Sequence, residues 1–195
     1  MGNVLAGRVK NFCVPSHIPF LYADEKVKIR PVLFGGGQQR NLRSGTENVP
    51  AIAGMGVAVQ TIYTDHLAKR EKMFALKQSL MDGLNAYEGV RCNAVTGISL
   101  EETAPHILSV SFSGVKSEVL LHALADKGIY VSSGSACSSN HPELSGTLKA
   151  IGVEEQFLDS TLRFSFSTHT TEEEIAYAVK AVGEVLPVLR RFTRK

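Results

Sequence analysis

The sequence predicts an α/β (α+β) fold in which helices cover one short sheet. Leu108, Val110 and Phe112 alternate with serines, which is the period-two pattern of a half-buried strand. After residues 170–174, apolar side chains recur at helical spacing. Because strand and helix patterns alternate along the chain, we expect one layer of helices packed on one layer of sheet.

Two predicted strands and a long helical region occupy the first half. Residues 20–22 and 27–33 are expected to pair around the polar turn 24–26. From residue 49 to about residue 87 the apolar spacing predicts two helices or one long bent helix. Lys77 and its basic neighbours are expected mostly off the apolar face. That face is predicted to contain Met73, Leu76, Leu80, Leu84 and Tyr87.

Three shorter elements are predicted in the middle of the chain. Residues 119–124 read as a helix that stops at Gly128. Residues 128–131 are strand-like, and residues 144–151 are helix-like. The serine-rich stretch between these two elements is therefore expected to be a connecting loop.

The last two elements are a strand and a long helix. Apolar side chains at 162, 164 and 166 alternate with polar ones, which predicts a strand. Thr171 and Glu174 have capping-box spacing at the start of the final helix. Pro187 is expected to bend or fray the last turns of that helix.

Composition excludes several classes of function. The 195 residues are 44% hydrophobic and 21% charged, as in ordinary globular proteins, and the formal charge is +2. Basic residues form no stripe, so a nucleic-acid partner is not expected. No apolar run approaches the roughly 20 residues of a membrane helix, and no signal peptide is recognisable, which predicts a cytoplasmic protein. Cys13, Cys92 and Cys137 are too widely spaced for a zinc site and indicate reduced thiols, with no metal.

Cys137 lies in an unusual setting for a structural cysteine. Its neighbours are serines and an alanine, and Gly134 adds backbone freedom. Buried structural cysteines normally have aliphatic neighbours, whereas reactive groups are often carried on loops. The residues leave two interpretations open: a reactive thiol, or a serine-rich linker with an incidental cysteine.

Two further residues could bind anions. The polar loop 35–48 runs into a predicted helix, and the free N–H groups of a helix start attract phosphate, so Thr46 is a candidate ligand. Thr46 is also explained as a plain helix N-cap. Arg163 lies between apolar residues of a predicted strand and would need an anionic partner if buried. Its alternative is a structural ion pair or an edge-strand charge.

Several segments, in this order, resemble the cysteine desulfurases, which belong to the pyridoxal-phosphate-dependent class V aminotransferase superfamily. The segments are residues 35–48, 132–139, 148–152, 162–165 and 170–175. The resemblance implies the C-terminal small domain of a fold-type I pyridoxal-phosphate enzyme, together with a remnant of the large domain. On this basis residues 1–62 are expected to be the remnant of the large cofactor domain with an interface helix. Residues 63–195 are expected to be the small domain with the cysteine loop.

The resemblance also implies a role for each candidate residue. Cys137 would be the nucleophile that takes sulfur from L-cysteine as a persulfide, leaving L-alanine. Arg163 would hold the substrate carboxylate, and Thr46 would bind the phosphate of pyridoxal phosphate in the neighbouring subunit. The implied partners are a second copy of the chain or a cofactor-domain chain. The sulfur would pass to an acceptor or scaffold protein for iron–sulfur cluster or thiocofactor assembly.

One departure from the family pattern limits these expectations. The family carries a Schiff-base lysine in a Ser-x-His-Lys segment, which this chain lacks; Asn11 occupies the lysine position, with Lys10 beside it. The chain is therefore expected to be a truncated cysteine desulfurase that is inactive alone. The alternative is a non-catalytic small-domain remnant that acts as a dimerisation or sulfur-acceptor-binding module. A third interpretation, another class V activity such as transamination, is disfavoured because it would need no thiol at Cys137.

Overall fold

The computed structural model of the chain describes residues 4–9, 18–93, 98–133 and 145–192, with only the backbone given for residues 4–9, 18 and 19. It divides into two compact units, Met1–His66 and Leu67–Lys195. The sequence interpretation placed a boundary between residues 62 and 63, and the roles assigned there to the two parts stay predictions. Among the described residues, no helix is both long and apolar enough to cross a bilayer.

The first unit contains a hairpin that the sequence interpretation paired wrongly. Strand β2 (Ile18–Ala23) pairs antiparallel with β1 (Val4–Val9), and residues 27–33 form no strand. The predicted turn is present, because the Asp24 carbonyl accepts from the Val27 N–H at 2.9 Å. Pro31 has no N–H to donate to a ladder, which disfavours a strand in the segment after that turn.

Helix α1 (Val49–Tyr63) follows the polar loop 35–48. Its N-cap is Asn48, whose Oδ1 accepts from the Ala51 N–H at 3.2 Å, so Thr46 is not the cap. All fifteen residues of α1 are uncharged. The helix ends before Asp65, whose φ of 52° interrupts the helical backbone, and α2 (His66–Asn85) begins at the next residue. Of the two predicted possibilities, two separate helices are therefore the correct one.

The second unit is a four-stranded antiparallel sheet with helices. The strand order is β3-β4-β6-β5. Along the chain after α2 the elements are β3 (Val90–Asn93), β4 (Ile107–Phe112), α3 (Ser117–Ala125), β5 (Ser132–Ser133), α4 (Gly146–Ala150), β6 (Thr161–Ser165) and α5 (Glu172–Phe192). Strand β3 was not predicted, and β5 begins just after the strand-like residues 128–131. The α/β fold class, with a short sheet covered by helices, is confirmed.

One face of this sheet builds the core of the second unit. Val110, Phe112 and Leu162 are completely buried on it. The core also contains buried side chains of three helices: Leu80 and Leu84 of α2, Leu120 and Leu124 of α3, and Val182 and Leu186 of α5. Each such side chain contributes about 1.5–3 kcal/mol when fully buried, so this face accounts for much of the stability of the unit.

The expected apolar face of α2 is largely correct, with one error. Leu76, Leu80 and Leu84 are buried as predicted, but Lys77 is only 4% exposed. Its Nζ donates to Thr103 Oγ1 at 2.6 Å and to the Ala104 carbonyl at 3.0 Å. A long aliphatic stem lets lysine cross an apolar surface and place its ammonium on acceptors beyond it. Burial lowers the pKa of Lys77 from its ordinary value.

Helix α5 begins as predicted. The Thr171 N–H donates to Glu174 Oε2 at 2.9 Å, and the Glu174 N–H donates to Thr171 Oγ1 at 3.2 Å, so the capping box is confirmed. The helix continues through Pro187 to Phe192. Pro187 is exposed, so water can satisfy a carbonyl that the missing N–H leaves unpaired.

Candidate functional site

The polar face of the sheet carries a row of four residues, one from each strand. Asn93 of β3 lies opposite Ser109 of β4, Ser109 lies opposite Arg163 of β6, and Arg163 lies opposite Ser132 of β5. Directly opposed residues of an antiparallel sheet point to the same face. Asn93, Ser109, Arg163 and Ser132 therefore form one continuous line across the sheet, which we call the polar row.

Arg163 occupies a central strand and projects away from the core. Its neighbours Leu162 and Phe164 are buried, whereas Arg163 itself is exposed. Its side chain makes no hydrogen bond or ion pair with any residue in the described parts of the chain. Within those parts, neither a structural ion pair nor an edge-strand position explains this arginine.

In the next row of the sheet, Ser111 of β4 lies opposite Thr161 of β6, and these residues are hydrogen-bonded among themselves. Ser111 is completely buried, and its Oγ lies 2.7 Å from Thr161 Oγ1. Thr161 in turn donates to the carbonyl of Phe157, in the 3-10 helix Glu155–Ser160, at 2.7 Å. Asn93 joins the two rows, because its Nδ2 donates to Ser109 Oγ at 3.1 Å and to Ser111 Oγ at 2.9 Å. The polar row is thus anchored at one end to a buried network.

Strand β5 leads from the polar row toward the predicted nucleophile. Ser133 is the last described residue before the segment 134–144. Cys137 belongs to that segment and lies outside the described residues, so its nucleophilic role stays a prediction. What the structure describes is the strand that precedes it, which pairs Ser132 with Arg163 and Ser133 with Leu162.

Thr46 lies in the first unit, in the loop before α1. It is exposed and makes no hydrogen bond with the described residues. The loop around it folds on itself, because Ser44 Oγ donates to the Gly36 carbonyl at 2.8 Å and the Gly45 N–H donates to Gln38 Oε1 at 3.3 Å. Thr46 is therefore presented on a locally organised loop, and its role as a phosphate ligand stays a prediction.

Three residues of the same loop have an uncommon backbone. Gln39, Arg40 and Asn41 have φ values of 52°, 56° and 63° in succession. Left-handed backbone costs a non-glycine residue roughly 1–2 kcal/mol, so three in a row store strain. Strain of this kind is found preferentially at ligand-binding positions, which agrees with the predicted use of the loop.

Cys92 is an inert thiol. It packs against the core. Burial, aided by Asp82, raises its pKa to about 11, and the opposing effect of Lys77 is smaller. The thiolate is the reactive form of cysteine, so a thiol with this pKa is unreactive at neutral pH. This agrees with the absence of a predicted role for Cys92, whereas Cys13 lies outside the described residues.

The described residues do not by themselves fit pyridoxal phosphate, the cofactor that the resemblance implies. That cofactor needs a lysine for its imine and donors for its phosphate. Asn11, at the family lysine position, and Lys10 lie outside the described residues. Lys77, which is buried, already donates to Thr103 and Ala104. Thr46 is the phosphate-ligand candidate that the resemblance implies, and no group of metal-ligating side chains occurs in the described parts of the chain.

Sequence reasoning did not single out Asn93, Ser109 and Ser132, which the register aligns with Arg163. The alternation in β4 places Ser109 on the polar face, but β3 was not recognised and the pairing of β6 with β4 and β5 is not encoded locally. Strand register depends on contacts between residues far apart in sequence. The local signal for these three residues is the polar character of each strand position.

Comparison with known proteins gives a consistent picture. Residues 8–177 match the aminotransferase class-V family. The chain is 38% identical over 181 residues to the cysteine desulfurase IscS of Aeromonas hydrophila, covering 92% of this chain and 43% of that protein. It is 40% identical over 178 residues to the cysteine desulfurase IscS of Proteus mirabilis, covering 90% of this chain and 43% of that protein. The chain thus spans less than half the length of these curated relatives.

The solved structures of similar fold include NifS-like proteins and a cysteine desulfurase. A NifS-like protein superposes with a TM-score of 0.75 at 33% identity, covering 90% of this chain and 44% of that chain. A NifS-like protein from Rickettsia africae gives 0.72 at 28% identity, covering 87% and 43%. A cysteine desulfurase from Thermococcus onnurineus gives 0.72 at 23% identity, covering 90% and 44%, which supports the fold alone.

Proposed function

The chain belongs to the aminotransferase class-V family, and we propose that it is the sulfur-accepting part of a cysteine desulfurase. The observation that carries the proposal is Arg163, which lies on the inner strand β6 beside β5 and whose exposed guanidinium has no partner among the described residues. Cys137 follows β5 by four residues. An anion-binding arginine placed beside the strand that leads to a loop cysteine suits a substrate with a carboxylate and a sulfur atom.

In the proposed reaction Arg163 binds the carboxylate of L-cysteine through two parallel hydrogen bonds. The thiolate of Cys137 attacks the substrate sulfur, so a sulfur–sulfur bond forms while the carbon–sulfur bond breaks. The electron pair of the broken bond stays with carbon, which takes up a proton and gives L-alanine. The products are L-alanine and a persulfide on Cys137, and the persulfide sulfur then passes to an acceptor protein.

Carbon–sulfur cleavage needs an electron sink, which pyridoxal phosphate supplies in the class-V family and its cysteine desulfurases. Thr46 is proposed to contribute to the cofactor phosphate of a neighbouring subunit. Because the described residues do not fit the cofactor by themselves, we propose that the isolated chain does not turn over L-cysteine. It would act only when the cofactor-bearing part of the fold is supplied.

The surface of the first unit supports this requirement. Among residues 20–66, only Ala51 and Ala58 are buried. Large apolar side chains are instead exposed, and they include Val32, Phe34, Val49 and Tyr63. An apolar surface of this kind normally marks an interface. We propose that the cofactor-bearing part of the family fold covers it.

Reconstitution tests the proposal. The chain is incubated with pyridoxal phosphate and L-cysteine, with or without a separately produced cofactor domain of a cysteine desulfurase, and alanine and protein persulfide are measured. We expect no alanine from the chain alone. With the cofactor domain we expect persulfide on the wild type, none on Cys137→Ala, and at least tenfold less on Arg163→Gln because the charged contact is lost.

Four outcomes would count against it. Alanine production by the chain alone would contradict the dependence on a second part. Persulfide that survives Cys137→Ala would remove Cys137 from its role. Complex formation without any persulfide, or assembly of two copies that excludes the cofactor domain, would favour the alternative, a non-catalytic dimerisation or sulfur-acceptor-binding module.

A further inference from the structure

We propose that residues 188–192 form a strap at the end of α5, which Pro187 separates from the rest of the helix and Arg190 fastens to two turns of the second unit. The strap opens and closes as one piece while the preceding part of α5 stays in the core. None of the residues assigned to the proposed reaction takes part, so this inference stands apart from it.

The part of α5 before Pro187 packs closely against α2 and the turn that follows α2. The buried residues of α5, five in all, precede Pro187. A Cβ at Gly83 would lie 2.7 Å from Val179 Cγ2, and one at Gly183 would overlap the ring of Tyr87. The Tyr87 hydroxyl also donates to the Val179 carbonyl at 3.2 Å. This part of α5 is therefore fixed in its position along α2.

Pro187 interrupts the hydrogen bonding of α5 at the start of the strap. Proline has no N–H to donate to the carbonyl four residues earlier, and the lost bond makes the helix easier to separate at that point. Beyond it, Val188, Arg191 and Phe192 are exposed, and Leu189 is partly buried against the core. Segments with few buried contacts open more readily than the core does. The strap therefore has little apolar burial to hold it.

Arg190 attaches the strap to the end of the sheet. Its Nε donates to the Ser113 carbonyl at 3.0 Å, and the Ser113 N–H donates to the Gly89 carbonyl at 2.8 Å. The arginine side chain lies on glycine backbone, since a Cβ at Gly89 would be 2.9 Å from Nη2 and one at Gly114 would be 3.7 Å from Cγ. Gly89 and Gly114 have φ values of 68° and 81°, which favour glycine. Arg190 thus joins the end of α5 to the turn before β3 and the turn after β4.

One nitrogen of Arg190 opposes this attachment. Nη2 is buried and has no hydrogen-bond partner in the described parts of the chain, where no ion pair involves Arg190 either. A buried donor without an acceptor has lost its hydrogen bonds to water. When the strap opens, Nη2 regains them, which partly offsets the loss of the Nε bond. The strap is therefore fastened, but less firmly than the core is packed.

Hydrogen exchange of the backbone amides in the full chain tests the strap. Protection factors are measured by NMR under native conditions for residues 188–192 and for Val182 and Leu186 of the same helix. We expect residues 188–192 to share one protection factor, at least about a hundredfold below those of Val182 and Leu186. A gradual decline along the helix toward residue 192, or protection equal to that of Val182, would overturn the proposal.

Two neighbouring arginines give a matched pair of variants. Arg190→Gln should lower the shared protection of residues 188–192 about fivefold, because the Nε hydrogen bond is lost and only part of its energy is offset. The protection of Val182 and Leu186 should not change. Arg191→Gln removes the same charge from an exposed neighbour and should leave the strap as in the wild type. Equal effects of the two variants would show that charge at the helix end holds the strap, and the role of Arg190 would be wrong.

Two glycines give a second matched pair beneath Arg190. Gly89→Ala and Gly114→Ala both place a methyl group at positive φ and so share the backbone strain. At residue 89 the methyl group also displaces Arg190 Nη2, whereas at residue 114 it meets Arg190 at an ordinary contact distance. We expect Gly89→Ala, but not Gly114→Ala, to lower the protection of the strap relative to that of Val182. Gly89→Ala combined with Arg190→Gln should lower it no further than either change alone.

The remaining outcomes separate a strap from general support of the fold. If Arg190→Gln lowers the protection of Val182 and of residues 188–192 together, Arg190 stabilises the whole unit and the proposal is wrong. If Gly89→Ala lowers the protection of the strap further in the presence of Arg190→Gln, the glycine does not act through Arg190, and the attachment is wrong. Should Gly89→Ala prevent folding, the comparison of Arg190→Gln with Arg191→Gln decides alone.

Discussion

The two units of the chain differ in the burial of their apolar side chains. The second unit buries Phe112, Leu80 and Leu162 completely in a core that belongs to it alone. In residues 20–66 of the first unit, the buried side chains are two alanines, and Phe34 is 83% exposed. Burial of large apolar groups is the main favourable term in folding, so the second unit has an internal source of stability. Residues 20–66 of the first unit bury no large apolar side chain.

Because of this difference, loss of an apolar side chain should lower the free energy of unfolding more in the second unit than in the first. In the second unit the apolar residues form the core on one face of the sheet. In the first unit, apolar residues of α1, a helix without charged residues, are exposed. Substitution of the same residue type in the two units should therefore give different results, and each matched pair below measures one part of the difference.

The largest difference is expected for two phenylalanines. Phe112→Ala should lower the free energy of unfolding by about 3–5 kcal/mol, because it removes a fully buried ring from the core. Phe34→Ala should change it by less than about 0.5 kcal/mol, since the ring is mostly exposed. Urea unfolding followed by circular dichroism measures both. Equal losses would show that the first unit has a core of its own.

A smaller difference is expected for two hydrogen-bonded serines. Ser111→Ala should cost about 1–3 kcal/mol, because it leaves the buried Thr161 and the partly buried Asn93 without this hydrogen-bond partner. Ser44→Ala removes a hydrogen bond to Gly36 that lies at the surface, where water can replace it. We expect a change within about 0.5 kcal/mol for that variant. The same urea titrations apply, and a cost for Ser44→Ala as large as that for Ser111→Ala would contradict the comparison.

The fold of the second unit was largely predictable from local patterns. The alternation of Leu108, Val110 and Phe112 and the capping box of Thr171 both act over a few residues, and both were identified correctly. The hairpin of the first unit was not, because strand pairing depends on which distant segment is available. Lys77 was misplaced for a similar reason, since its acceptors lie about 26 residues further along the chain.

The candidate site was predictable only in part. Arg163 and Thr46 were proposed as site residues because the motifs around them resemble those of a family, and local pattern alone left both open. The structure excludes Thr46 as the N-cap, because Asn48 fills that position. Ser109 and Ser132 were not singled out, because only the register of the sheet places them beside Arg163. Residues whose role depends on cross-strand neighbours cannot be identified from their own sequence context.

A third pair compares the caps of two helices. Thr171→Ala removes a capping box from α5, whose apolar face lies in the core, and should cost about 1 kcal/mol in global unfolding. Asn48→Ala removes the cap of α1, which buries only two small side chains. Its loss should appear as reduced helicity at the start of α1, without a shift of the main urea transition. A shift equal to that of Thr171→Ala would mean that α1 unfolds together with the core.

The smallest effect on stability is expected for Arg163, and it sharpens the comparison. Arg163→Gln should leave the free energy of unfolding within about 0.5 kcal/mol of the wild type, because the side chain is exposed and has no partner among the described residues. Arg163 and Phe34 are both exposed, and we expect the fold to tolerate the loss of either side chain. Arg163 nevertheless belongs to the unit that has a core. Urea titration checks the value. A loss above about 1 kcal/mol would show that the guanidinium supports the sheet, and it would count against a position kept available for substrate.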